Sequence, residues 1–265
     1  MDIVKTQRPL ALVTGASSGI GLELARVLAA HGHDLLLVAR RANLLQKMAQ
    51  ELELTYGGRA EVLTLDLSQP GAAERVVAEL QARGRTVDVL VNNAGFSQHG
   101  LVAELPLDRL QAIVQVNVLA LMDLTRLILP GMLTRKQGRV MNVASVVSFT
   151  PAPYAAVYAA TKAFVLSFSE ALAEELRDTG ITVTALCPGT TATEFATTSG
   201  MTDTLAFRSG SMPAKTVAEI GYQGMMRGKT IVIPGWMNRL TVFSLRLSPR
   251  SLVAKIAKKL MSQAK

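Results

Sequence analysis

The 265-residue sequence holds a single cysteine, Cys187, so no disulfide can close within the chain and an oxidising compartment is not required. Histidine is nearly as scarce. His31, His33 and His99 are the only three, and they are not spaced as metal ligands are. No metal centre is expected, and serine-hydrolase chemistry lacks a placed base. No apolar run of about eighteen residues suggests a membrane span, and the N-terminus lacks the charged-then-apolar pattern of a secretory signal. The cytoplasm is the default expectation. Acid is missing from one region: after Glu219 there is no Asp or Glu, while Lys and Arg recur from Arg227 to Lys265. The formal charge of +8 is therefore concentrated at one end. Such a tail could touch nucleic acid or anionic lipid, but a solvated rim is the preferred reading and no nucleic-acid partner is expected.

What is present is ordinary for a globular chain with a sizeable core: 49% hydrophobic and 18% charged residues, with no break in composition. One domain over residues 1–265 is expected, because apolar runs and helix-periodic segments alternate throughout.

The stretch Leu10 to Leu28 sets the organisation. Leu10 to Val13 is a short apolar run of the kind a doubly covered strand shows, and Ile20, Leu24, Val27 and Leu28 recur at helical spacing. Between them lie Gly15, Gly19 and Gly21, with Ser17 and Ser18 inside the turn. A strand feeding through glycines into a helix leaves N–H groups and a positive dipole end aimed at an anion, and a dinucleotide pyrophosphate suits that shape.

A second apolar run, Asp34 to Ala39, ends in Arg40 and Arg41. In a dinucleotide fold this end faces the adenosine ribose, where an acid suits a 2′-hydroxyl and an arginine a 2′-phosphate. Arg40 therefore favours NADP(H) over NAD(H); the plainer alternative is that these arginines open the next helix as exposed charges. A third strand, Ala60 to Leu65, leads into Asp66 and Leu67, and Asp66 could equally cap a helix starting at Ser68 and Pro70. A fourth strand, Val87 to Val91, runs into Asn92, Asn93, Ala94 and Gly95. An Asn amide there can tie neighbouring strands together.

Leu107 to Leu133 reads as one long apolar helix with Asn117 inside it. Its amide could simply be satisfied by nearby backbone. A fifth strand, Gly138 to Ala144, delivers Ser145 at its C-terminal end, where parallel sheets build their sites. Tyr158 and Lys162 follow four residues apart, one helical turn. Tyr154 extends that stripe by another turn and reads as a pocket wall or packing residue. A sixth strand, Ile181 to Cys187, ends in Pro188, Gly189, Thr190 and, beyond, Thr193.

These segments, TGASSGIG, NNAG, a strand-end serine, YAATK and PGTTAT, resemble in order and spacing the short-chain dehydrogenase/reductase family over about residues 10–234. The resemblance implies an α/β Rossmann-type doubly wound sheet of about seven parallel strands with helices on both faces. It implies hydride transfer between NADP(H) and a carbonyl/alcohol pair, with Tyr158 as general acid/base, Ser145 polarising the substrate oxygen, and Lys162 supporting the phenol. Lysine one turn away carries the sign that would lower a phenol's pKa. Asn117 would hold a water in a proton relay at a helix distortion. Gly15, Ser17, Ser18, Gly19, Ile20, Gly21, Arg40, Asp66, Leu67, Asn93, Ala94, Gly95, Tyr158, Lys162, Pro188, Gly189, Thr190 and Thr193 would contact the cofactor. A homodimer or homotetramer is implied too.

Residues 194–211 have weak periodicity and several apolar side chains, which suits a substrate lid for a hydrophobic carbonyl compound. Residues 236–265 lie outside the shared core and suggest two basic amphipathic helices through Val242, Leu245, Leu252, Ile256 and Leu260, able to pack on a neighbouring subunit or lie on a membrane. A cofactor-binding regulator or scaffold without turnover, and a membrane-peripheral lipid or steroid reductase, are the alternatives.

Overall fold

The computed structural model describes residues 8–208 and 210–262. Seven parallel strands form one sheet: β1 (Leu10–Thr14), β2 (Asp34–Ala39), β3 (Ala60–Thr64), β4 (Val87–Asn92), β5 (Gly138–Val143), β6 (Ile181–Leu186), and a last one, Ile231–Val232, in the order β3-β2-β1-β4-β5-β6 and then the last. The order reverses direction between β1 and β4, the switch point beside which such sheets bind ligands.

Residues on β1 explain why helices cover both faces. Ala11 and Val13 point into one apolar cluster with Leu24 and Leu28 of α1 (Gly19–Ala30) and Leu45 and Leu52 of α2 (Ala42–Tyr56). Leu10 and Leu12 point into the other, with Val76 and Leu80 of α3 (Ala72–Ala82). A strand alternates its side chains, so a strand apolar at every position needs cover on both sides. Full burial of a leucine such as Leu12 stabilises the fold by roughly 1.5–3 kcal/mol.

Two boundaries differ from expectation. The helix after β3 starts at Ala72, behind a left-handed Gly71, and not at Ser68 or Pro70. Asp66 instead closes a local turn, its Oδ1 accepting from the Ser68 N–H at 2.9 Å. The long apolar helix is also three pieces: α4 (Leu107–Val114), a π-helical turn over Gln115–Leu119, and α5 (Ala120–Arg135). Together they run 29 residues and, contrary to the reading of the sequence, are long and apolar enough to cross a membrane. Here they are a layer of the core, with Leu124, Ile128 and Met132 buried against the sheet.

Beyond β5, a 3-10 turn over Val146–Phe149 precedes α6 (Ala156–Glu175). After β6, the expected lid region pairs β7 (Thr191–Ala192) with β8 (Met212–Pro213), enclosing α7 (Phe195–Ser199) and α8 (Leu205–Arg208). Then come α9 (Ala214–Met226), the last sheet strand β9 (Ile231–Val232), α10 (Trp236–Leu245) and α11 (Arg250–Met261). The tail does form two helices, and α11 packs on α8. Ser209 and Lys265, parts of the expected lid and basic tail, lie outside the described residues.

Candidate active site

A cavity of about 710 Å³ opens at the C-terminal ends of the strands and runs from the glycine turn to the tail helices. Its first end is built on α1. Ser18 is the N-cap residue yet makes no capping bond, so the first-turn N–H groups stay available beside the cavity wall of Gly15, Ser17, Ser18 and Ile20. Gly21 has to be glycine: a Cβ there would stand 2.3 Å from Asn93 Nδ2 and 2.5 Å from the Gly15 carbonyl oxygen. Asn93 reaches back to donate from Nδ2 to the carbonyls of Thr14 (2.9 Å) and Gly15 (3.2 Å), fixing the glycine turn to the end of β4. Thr14 completes the tie, its hydroxyl accepting from the N–H groups of Asn93 and Ala94, both at 3.0 Å. The sequence reading missed Thr14, although a threonine ending a buried strand before a glycine turn was visible.

Both Arg40 and Arg41 line the cavity. Arg41 donates to the hydroxyls of Ser17 (3.1 Å) and Ser18 (2.7 Å) and pairs with Glu194 at 2.8 Å, so it is bound to the cofactor-side turn and does not merely open a helix as a free charge. Arg40 lies toward Asp66. Burial acts to raise the Asp66 carboxyl, but the Ser68 N–H and hydroxyl and the Arg40 charge together hold it below its usual range. An uncapped helix N-terminus, two arginines and an acid after β3 fit an adenine dinucleotide. Gly19 is roofed by Thr193, whose Cγ2 would lie 3.0 Å from a Cβ on that glycine. The segments containing Gly189, Thr190 and Thr193 thereby meet the glycine turn across the cavity.

The other group sits at the ends of β5 and α6. Ser145 caps the 3-10 turn, accepting from the Val147 N–H at 3.3 Å, while Ser148 returns a bond from the Ser145 N–H and donates to the Lys162 carbonyl at 2.8 Å. The strand end and the helix are thus locked to each other. Ser145 and Tyr158 share the cavity wall, and burial pushes the Tyr158 phenol up to about 12 against an opposing hydrogen bond from Ser145. The lysine does not outweigh this: its Nζ is 5.8 Å from the Tyr158 ring centroid and donates to the Val143 carbonyl at 2.7 Å. Burial in turn lowers Lys162 to about 8. The expected depression of the phenol by its lysine neighbour is therefore reversed, because desolvation of the phenolate is the larger effect.

Asn117 stands in the π-helical turn, so the expected distortion is present. Its amide is fully used. Oδ1 accepts from the Phe96 N–H at 3.0 Å, and Nδ2 donates to the Phe96 carbonyl at 3.0 Å and to the Thr161 hydroxyl at 3.1 Å. It clamps the loop after β4 to α6, beside Gly95, where a Cβ would meet Asn117 Oδ1 at 3.1 Å and Lys162 Nζ at 3.4 Å. Asn92 supplies the strand tie anticipated for this loop, donating to Asn142 Oδ1 at 2.9 Å.

Tyr154 is not on the helix with Tyr158. It precedes α6 in a left-handed conformation (φ 65°), and its ring packs 5.5 Å from that of His99. The packing half of its sequence reading describes it. Phe195 from the lid region packs against the Tyr158 ring, centroids 5.4 Å apart and planes tilted by 48°.

The far wall of the cavity comes from the two tail helices, through Val242, Leu245, Val253, Ile256, Ala257 and Met261, where the sequence suggested a neighbouring subunit or a membrane as their partner. They fold back over this chain's own site. His99 Nε2 lies 2.8 Å from the Met261 carbonyl and fastens the end of α11 to the loop after β4.

The short chain dehydrogenase family model matches residues 9–203. Among curated proteins, the chain is 40% identical over 190 residues to a short chain dehydrogenase of Pseudocercospora fijiensis, covering 71% of this chain and 61% of that protein. It is 35% identical over 178 residues to the ketoacyl reductase HetN of Nostoc, covering 67% and 62%. The matched region thus spans about three fifths of the length of these relatives. A solved short-chain dehydrogenase from Sphingobium yanoikuyae in complex with NADPH superposes with a TM-score of 0.82 at 32% identity, covering 97% of this chain and 98% of that one, which carries the likeness past the family model into the tail helices. The family model over residues 9–203 and these relatives show that the chain belongs to the short-chain dehydrogenase family.

Proposed function

We propose that this protein is an NADP(H)-dependent oxidoreductase that interconverts a ketone and an alcohol on an apolar compound. The observation that carries the reading is one cavity with two unlike ends, an anion-binding end at α1 with Arg40 and Arg41, and an apolar end at the tail helices, with Ser145 and Tyr158 between them. The bound nicotinamide supplies or accepts the hydride.

The chain's own residues do the rest. The Ser145 hydroxyl donates to the substrate oxygen and holds it beside the phenol. Tyr158 gives its proton to that oxygen in reduction and takes it back in oxidation. A phenol lifted to about 12 is in its proton-donating form at neutral pH, and the positive charge of Lys162 stabilises the phenolate that reduction leaves and oxidation starts from. Asn117 acts as a positioning residue, holding Gly95 and Phe96 against α6. Arg40, with Arg41 beside it, meets the 2′-phosphate. Phe195, Phe207 and Val242 offer the substrate an uncharged surface. Self-association is part of this reading, supported by the exposed Leu119, Leu127 and Phe164 on neighbouring helices.

The test is a panel of aliphatic and aromatic ketones followed by NADPH consumption, with Tyr158→Phe beside the wild type. Loss of turnover by about a hundredfold or more with NADPH binding kept supports the assignment. Tight NADPH binding with no turnover on any ketone would move the protein to the scaffold reading.

A further inference from the structure

The tail helices have a second face that the cavity does not use. Trp236, Leu240, Phe243 and Leu247 follow one another at intervals of four, three and four residues, which is a single stripe on α10 and its continuation. They are 72%, 54%, 59% and 77% exposed. Exposed apolar side chains are common singly, but a continuous row of this size marks a surface that meets something. Arg239 lies on α10 and Arg246 ends it, while Arg250, Lys255, Lys258 and Lys259 follow on α11; all six are exposed, and neither helix contains an acid. None of them takes part in an ion pair among the described residues.

We propose that this face docks on an anionic lipid bilayer, the apolar row entering the interface and the basic residues meeting the headgroups. Charge decides between occupants. A second copy of the chain placed here would set six cations against six, whereas an anionic surface complements all of them. The apolar row and basic residues are the two components from which interfacial helices draw their affinity. Position agrees with this assignment. Ile256 and Leu260 line the cavity and are nevertheless 53% and 46% exposed, so the cavity reaches the surface on these helices. A docked molecule would present its mouth to the lipid, and an apolar carbonyl compound could pass in without crossing water. That last consequence rests on the oxidoreductase reading, while the docking does not.

Trp236 is the only tryptophan in the chain, so its emission reports this face alone. The full chain is mixed with vesicles of phosphatidylcholine, or of phosphatidylcholine with phosphatidylglycerol, and both emission and sedimentation are followed. Expected is a blue shift and co-sedimentation with the anionic vesicles, weakened by added salt. The variant Leu240→Ser/Phe243→Ser/Leu247→Ser should reduce partitioning by about tenfold or more, and Arg246→Glu/Arg250→Glu should do likewise while leaving the apolar row intact. None of these residues lines the cavity, so NADPH binding should persist in both variants and shows that they are folded. No shift with anionic vesicles overturns the proposal, as does binding indifferent to lipid charge. A blue shift that grows with protein concentration in the absence of vesicles also overturns it, because the occupant is then a second copy.

Discussion

Arg41 and Glu194 are joined at 2.8 Å across the mouth of the cofactor end, linking the loop after β2 to the start of the lid region. The same guanidinium that donates to Ser17 and Ser18 is thus partly occupied by a carboxylate, in the place where a phosphate would come. Both partners are substantially exposed, so the pair contributes no more than about 1 kcal/mol. Freeing Arg41 with Glu194→Gln should therefore tighten NADPH binding by about two- to fivefold, without changing NADH binding. Fluorescence titration with both cofactors decides it; weaker NADPH binding would mean that the carboxylate orients Arg41 instead of competing for it.

Arg40 and Arg41 should divide the 2′-phosphate between them. Replacing either by alanine should weaken NADPH by about ten- to a hundredfold, the worth of a charge-assisted hydrogen bond, with NADH affinity unchanged. Equal loss of both cofactors would assign the arginines to the turn itself.

Lys162 sets a pH dependence whose sign can be worked out. In the folded protein it is lowered from 10.5 to about 8, so between those values the unfolded chain holds a proton that the native one does not. Stability drawn from this group therefore rises from pH 8 to 10.5 and is flat below. Denaturant melts of the wild type and Lys162→Met should diverge in the wild type's favour across that window. Carbonyl reduction should fall as pH rises through 8, when the lysine charge beside Tyr158 is lost. Parallel melts and a flat rate would show that Lys162 stays charged.

Cys187 lies fully buried at the end of β6, and burial pushes its thiol up to about 12. The native protein should react with a thiol reagent at least a hundredfold more slowly than the unfolded chain at pH 8. Fast labelling of the native protein would reveal local opening beside the site.

Releasing α11 should alter substrate affinity and leave the chemistry alone. His99→Ala removes the link to the Met261 carbonyl, and faster amide exchange in α11 with a raised KM is expected, kcat holding within about twofold. A fall in kcat with KM unchanged would place His99 among the groups that serve the reaction.

Most of the candidate site was legible because its signals are local. A glycine turn is written in a few adjacent residues, and Tyr158 and Lys162 sit one turn apart wherever their helix lies. Tyr154 misled for the same reason: spacing alone put it on the stripe, but the chain turns through a left-handed residue there and the helix starts at Ala156. The tail shows the opposite limit. Its apolar pattern points to Leu252, Ile256 and Leu260, whereas the structure buries Val253, Ala257 and Met261. Which stripe turns inward depends on the lid helices beneath, and no pattern within the tail encodes them.

That division of labour bears on how such a protein can change. Ser145, Tyr158 and Lys162, the proposed proton-handling groups, sit after β5 and on α6, and Ser148 ties the strand end to the helix. The far wall of the cavity is the helix pair α10 and α11, held by packing and by a bond at His99, and these helices carry none of the sheet's hydrogen bonds. Descendants of this sequence could thus trade one range of ligands for another by drifting in residues 236–262, with the Ser145, Tyr158 and Lys162 end of the cavity inherited intact.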